Sequence, residues 1–201
     1  MVRRAPEIEV QFPISGEQFA QIDRAVREAG YAAAIEWSEN MKPPANAAAF
    51  ASEAIYVICN SGMSNRVAVP IFERCMTALR GGQSAATVFG HQDKAAAIDK
   101  IWRRRASLFR KLRDTDDLIA FCETLPWVGP ITKFHLAKNL GADVAKPDVH
   151  LNRLGEPEGV TAQQLCERLA SATGYRVATI DLILWRACAD GIIHSRTRDS
   201  D

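Results

Sequence analysis

The chain contains no apolar run of the roughly 20 residues that a bilayer-crossing helix needs, and its start does not read as a secretory leader. No membrane role is therefore expected. It also lacks any C-x-x-C pair. Its cysteines, Cys59, Cys75, Cys122, Cys166 and Cys188, are odd in number and scattered, which argues against a metal knuckle or a disulfide framework and for buried, reduced thiols in a cytosolic protein. Sustained alternation of apolar and polar residues is missing, and so is any internal repeat. A large excess of one charge is missing as well: the formal net charge is +1, not the footprint of a strongly basic nucleic-acid binder.

What is present is ordinary soluble-protein composition, 47% hydrophobic and 24% charged over 201 residues, enough for one domain or two lobes sharing a core. Nearly every segment carries helical spacing. GEQFAQIDRAVREAG has Ser15 as an N-cap and Gly30 as a stop. After the loop SENMKPPAN come AAAFASEAIYVICNSG, NRVAVPIFERCMTALRGG, a helix starting after Gly90, and the C-terminal TAQQLCERLASATG and RVATIDLILWRACADG. An all-α domain of about eight to ten helices is expected. Charge is uneven: KIWRRRASLFRKLR, Lys100 to Arg113, holds no acid. Ile98, Ile101, Trp102, Leu108, Phe109 and Leu112 recur at helical spacing there, so the basic residues must ride the exposed face. That face is either simply solvated or turned to phosphates.

The stretch LPWVGPITKFHLAKNLGADVAKPDVHLNRL is the least ordinary part of the chain. Pro126, Gly129 and Pro130 mark a tight corner, with both prolines fixing φ and Gly129 able to take positive φ. Upstream, DTDDLIAFCETL reads as a helix opening at Asp114 or Thr115. Downstream, Pro130 suits a helix's first turn, Ile131, Phe134, Leu136 and Leu140 mark an apolar face, and Gly141 is a C-terminal stop. The unit is helix, tight hairpin, helix, and then a loop ending in Asp148 before another helical segment.

Those residues resemble the helix-hairpin-helix DNA glycosylase superfamily (HhH-GPD), which includes endonuclease III and the adenine-mismatch, 8-oxoguanine and alkylated-base glycosylases. Leu125, Pro126, Val128, Gly129 and Thr132 stand where the family's hairpin motif has its matching residues, and Asp148, Val149 and His150 match its active-site loop. AIYVICNSGMSNRVAVP and GHQDKAAAI resemble two upstream family segments, so the likeness covers roughly residues 50 to 155 in order. The resemblance implies a two-lobed helical fold spanning 1–201, one lobe of about 50–140 with the hairpin at 125–131, the other from 1–49 and 141–201, and a DNA-binding cleft between them. It implies a monomer, cytoplasmic and nucleoid-associated if prokaryotic, that binds double-stranded DNA, flips out a damaged, mismatched or modified base and excises it in base excision repair.

Roles follow from the same resemblance. Backbone amides around Gly129, with Trp127, Val128, Ile131 and Thr132, would hold a DNA phosphate at the start of the second hairpin helix. A monovalent cation at the hairpin is the one candidate ligand; no other cofactor and no structural metal are expected. Asp148 would stabilise the sugar cation formed as the base leaves, although an aspartate at a helix start also serves as an N-cap. Bifunctional relatives carry a nucleophilic lysine where this chain has Ile131. Lys133 lies about 200° further round the helix. Lys146, two residues before Asp148, is the remaining candidate catalytic lysine, set against plain surface solvation. A monofunctional hydrolase with water as nucleophile, lacking lyase activity at the abasic site, is the expectation. The iron–sulfur cluster of some relatives is expected to be absent, since only Cys166 and Cys188 lie beyond Asp148.

The wedge into DNA falls at Asn60 to Asn65, with Met63 as the inserting side chain or as a core residue closing its helix. Asn65 follows as a DNA contact. Trp37, in the region from which relatives draw base-pocket residues, is a stacking candidate or a core residue. Two other functions fit the same residues. Phage enzymes resembling this superfamily attach amino acids or polyamines to a modified thymine, and a non-catalytic DNA-binding module would also keep the hairpin.

Overall fold

In the computed structural model, residues 7–195 are described. They form ten α-helices and no strand. In chain order these are α1 Gly16–Val26, α2 Ala32–Glu39, α3 Ala47–Asn60, α4 Asn65–Arg80, α5 Gln92–Arg113, α6 Leu118–Glu123, α7 Thr132–Asn139, α8 Val149–Gly155, α9 Ala162–Thr173 and α10 Val177–Ala189. The chain divides into two compact units: 1–41 with 143–201, and 42–142. The expected all-α class holds.

The unit built from both ends of the chain contains α1, α2 and α8–α10. Its core joins Phe19, Ile22 and Val26 of α1 to Leu151 and Leu154 of α8, Leu165 and Leu169 of α9, and Ile180, Ile183 and Leu184 of α10. Caps set the helix starts. Ser15 accepts from Gln18 N–H at 3.1 Å, and Thr161 and Gln164 satisfy one another's backbone donors in a capping box. Gly30 does not end the first helical region as its sequence context suggests. It bends it: with φ at 100° it sits in a wide turn over Arg27–Tyr31, and the alanine-rich segment beyond re-enters as α2. Ser38 and Glu39, assigned to a loop on sequence, close that helix.

The central unit contains α3–α7. α3 is nearly surrounded, burying Phe50, Ala51, Ala54, Ile55, Val57 and Ile58. α5 is one continuous helix of 22 residues, started by His91, whose Nδ1 accepts from Lys94 N–H at 3.4 Å. It buries Ala95, Ile98, Ile101 and Leu108, while Lys100, Arg103, Arg104, Arg110, Lys111 and Arg113 are exposed. α6 opens later than its acids suggest, at Leu118. Asp117 rather than Asp114 supplies the cap, accepting from Ala120 N–H at 2.9 Å, because Asp114 already closes the end of α5.

Candidate functional site

α6 and α7 meet through an eight-residue corner that Val128 and Leu125 pin by burial. Val128 N–H donates to Leu125 C=O at 3.3 Å, and Lys133 N–H donates to Gly129 C=O at 3.0 Å. The second bond is a turn leading into α7, whose N-cap is Ile131, so Pro130 lies just before the helix rather than in the first turn that its sequence context suggests. Gly141 ends the helix at φ 103°. A Cβ there would come within 3.1 Å of Pro43, so glycine is needed for space as well as for φ.

Gly129 is not left-handed; Trp127 is, at φ 65°, the sole non-glycine residue with positive φ among those described. A left-handed L-residue costs about 1–2 kcal/mol. The Trp127 ring rests edge-on against His91, with centroids 5.1 Å apart, which ties the corner to the start of α5. Trp127 is still 39% exposed, and Ile131 is exposed beside it. Thr132 opens α7 half-buried. Gly129 has open space where a Cβ would stand, so its backbone can be approached closely. For a cation, the backbone carbonyls of Leu125 and Gly129 already accept one N–H each, leaving a second lone pair apiece.

Lys133 turns back across the corner and pairs with Glu123 of α6 at 2.8 Å. It also lies 5.6 Å from the Phe134 ring. It therefore braces the hairpin and is spoken for.

The loop between α3 and α4 belongs to the same unit. Met63 is half-buried, between exposed Gly62 (φ 72°) and Ser64, in a turn closed by Met63 N–H on Asn60 C=O at 3.1 Å. Asn65 accepts from the Tyr56 hydroxyl at 2.6 Å through Oδ1, which leaves its amide N–H donors toward solvent. Lys94 is a residue that sequence reading did not single out. It is 4% exposed, and its ammonium donates to the Ser61 carbonyl at the end of α3, holding the base of the Met63 loop. Burial draws its pKa below the usual lysine range. The signal available was its place in GHQDKAAAI, one turn after the cap on the apolar side of α5.

Asp148 lies in the other unit. It caps α8: Oδ1 accepts from His150 N–H at 3.0 Å and from Leu151 N–H at 3.1 Å. Its second oxygen is not used by the helix and faces the Lys146 ammonium at 3.6 Å. So one side chain both caps α8 and keeps its second oxygen off the helix, facing Lys146. The loop leading to it is clamped from two sides. Ala145 N–H donates to Gln163 of α9 at 2.7 Å, and Lys146 N–H donates to Asp181 of α10 at 2.9 Å. Asp181 is 1% exposed. An acid inside the otherwise apolar run ATIDLILW was the sequence signal for it. Seven residues on, Cys188 is half-buried; burial first, and then the charge of Asp148, push its thiol up to about 12. The neighbour of the carboxylate is thus a neutral thiol. His150 reaches Ser195, Nδ1 to Oγ 3.3 Å.

Trp37 is not a core residue. It stands 53% exposed on α2, whose buried side is formed by Ile35 and Ser38. The candidate residues thus form two groups: the hairpin and the Met63 loop in the central unit, and Asp148, Lys146 and Trp37 in the terminal one. Among the described residues no three His, Cys, Asp or Glu side chains gather as a metal set, and no helix is long and apolar enough to cross a membrane.

No protein-family model and no curated protein matches the sequence. Among solved structures the chain is similar to Tm1821, the 8-oxoguanine DNA glycosylase of Thermotoga maritima. The match has a TM-score of 0.59 and 15% identity over 87% of this chain and 97% of that one. At that identity what the two share is a fold, and the all-helical fold of this chain is that of a DNA glycosylase.

Proposed function

We propose that the protein is a monofunctional DNA glycosylase, which holds duplex DNA through the α6–α7 corner and releases a base by Asp148-assisted attack of water on the sugar C1′. The observation that carries this reading is the divided use of Asp148: one oxygen fixes the side chain at the start of α8, and the other is left for chemistry. As the glycosidic bond lengthens, positive charge grows on the sugar, and a fixed carboxylate oxygen beside it lowers that barrier. The same oxygen can orient the attacking water and take its proton. Its clamped loop supports preorganisation, since Gln163 and Asp181 set the backbone before any DNA binds. A base must leave the stack to reach such a site.

Water as the nucleophile is supported by where the amines are. Ile131 has none, and Lys133 is committed to Glu123. Lys146 is engaged with the Asp148 carboxylate as its ion-pair partner, at 3.6 Å. Borohydride is therefore expected to trap no protein–DNA adduct, and abasic sites should accumulate unnicked until treated with base. Duplexes carrying a panel of damaged and modified bases, with products weighed by mass spectrometry, test the whole reading. Released base supports it; a base that gains mass and stays attached, or no change to any base, defeats it. An adduct lost in Lys146→Ala would show a Schiff-base enzyme instead.

The corner is tested separately. Because a Cβ at Gly129 would meet nothing within 4 Å, Gly129→Val should fold normally. Its isopropyl group would stand between the backbone amides and a phosphate. Affinity for DNA of every sequence should fall alike, by about tenfold or more, the effect of losing one charge-assisted contact of about 1.5–3 kcal/mol. Unchanged affinity in the folded variant would take the corner out of the DNA interface.

A further inference from the structure

The corner and Asp148 leave one strongly charged feature of the molecule without a task. On α5, Lys100, Arg103, Arg104 and Lys111 lie within about 100° of one another around the helix, with Arg110 at the margin. All are exposed. Lys100, Arg104, Arg110, Lys111 and Arg113 meet no carboxylate among the described residues, while Arg103 reaches only the Asp99 carbonyl, at 3.3 Å. Asp99 itself is turned away, taken by Ser84 and by Ala85 N–H. Arg105 leaves the face altogether and folds over the Trp102 ring, 4.3 Å from its centroid.

Two ordinary explanations fall short. Cations in a last turn complement the helix dipole, which accounts for Arg110, Lys111 and Arg113. Lys100, Arg103 and Arg104 are mid-helix, beyond the reach of that effect. A merely solvated face usually intersperses acids at three and four residues, since like charges at that spacing repel. Here the face carries no acid from Lys100 to Lys111, and Asp93, the acid that shares it, lies about two turns before Lys100, in a chain whose net charge is +1.

We propose that this face of α5 is a second contact for the phosphate backbone of duplex DNA, separate from the corner and blind to sequence. From Lys100 to Lys111 the face runs about 16 Å, which matches the axial rise of about five phosphates of one strand. Its place suits an extension of the footprint. The His91 end of α5 touches Trp127 at the corner, and the cations lie about 13 to 30 Å further along the helix axis. Duplex reaching only the corner would miss them; longer duplex would meet them. The proposal rests on the protein acting on DNA, though not on its chemistry there.

The test measures binding of undamaged duplexes of about 8 and about 30 base pairs across a salt series, lengths chosen from the axial rise of 3.4 Å per pair. The proteins are wild type, Lys100→Gln/Arg104→Gln/Lys111→Gln, and the charge-keeping Lys100→Arg/Lys111→Arg. On the long duplex the triple variant should show a slope of log K against log salt shallower by about 2 to 3, at about 0.9 per phosphate contact. On the short duplex, about 27 Å long and able to cover only part of the face, the change should be clearly smaller, and the arginine variant should match wild type on both. An unchanged slope on the long duplex overturns the proposal while leaving the corner and Asp148 standing. Equal losses on both duplexes overturn it too, since the face would then belong to the corner's own footprint. A wild type that binds neither duplex removes this contact and the glycosylase reading together.

Discussion

Asp148→Asn is expected to lower base release by at least about 10³-fold, with DNA binding and melting temperature nearly unchanged. Asparagine is as good an N-cap as aspartate, so its Oδ1 can go on accepting from His150 and Leu151 N–H and α8 keeps its start. What disappears is the negative charge on the oxygen that faces Lys146. Losing one preorganised electrostatic partner of a transition state costs about 10²–10³ in rate, and losing a general base adds to that. Asp148→Ala makes a useful contrast. It removes the cap as well, at about 1 kcal/mol, and should lower the melting point by about 2–4 °C. A single-turnover assay on a duplex with a substrate base checks both variants. Release within tenfold of wild type in Asp148→Asn would move the chemistry to another group, whatever happens to stability.

The ease of that argument reflects how much of the site was written locally. An aspartate between Pro147 and VHLNRL announces a cap, and the cap is there. The proline–glycine corner and the Gly141 stop were equally legible, because each depends on the φ preferences of residues within a few positions. The identity of the left-handed residue was not. Sequence preference assigns it to Gly129, yet the chain puts Trp127 there, since burial of Val128 and Leu125 and the contact with His91 fix the path of the corner regardless of what Trp127 prefers.

Long-range partners were the least legible. Gln163 and Asp181 hold the aspartate loop from 18 and 35 residues away, and Lys94 reaches Ser61 across 33. No spacing rule links such pairs; only the packing of α9, α10 and α5 brings them within bonding distance. The kink at Gly30 failed for a related reason. Glycine reads as a stop, but the alanines that follow favour helix, and α2 is held down by Arg176 donating to the Ser38 carbonyl at 2.8 Å and by Thr179 donating to the Ser38 hydroxyl at 3.2 Å.

Gly155→Ala should be the most damaging single-methyl change in the terminal unit, destabilising the protein by about 2–3 kcal/mol and lowering its melting point by about 5–10 °C. Gly155 is buried at the end of α8, and a Cβ there would stand 2.4 Å from the Val160 carbonyl oxygen, far inside contact distance. The obstacle is backbone, so no side chain can swing aside. The segment is also closed the other way, by Val160 N–H on Gly155 C=O at 3.1 Å. Relief must therefore come from moving Val160 together with Thr161, whose capping box starts α9. From α9, Gln163 holds Ala145 in the aspartate loop. The strain thus reaches the site as well as the core, and base release should fall more than the loss of folded protein explains. Gly159→Ala is the control four residues on. Gly159 has φ 67° but nothing within 4 Å of a Cβ, so only the left-handed penalty of about 1–2 kcal/mol applies, partly offset by the entropy the alanine removes from the unfolded chain. Thermal melts rank the two. If Gly155→Ala melts at or above Gly159→Ala, the α8–α9 turn relaxes at little cost and does not hold the aspartate loop in place.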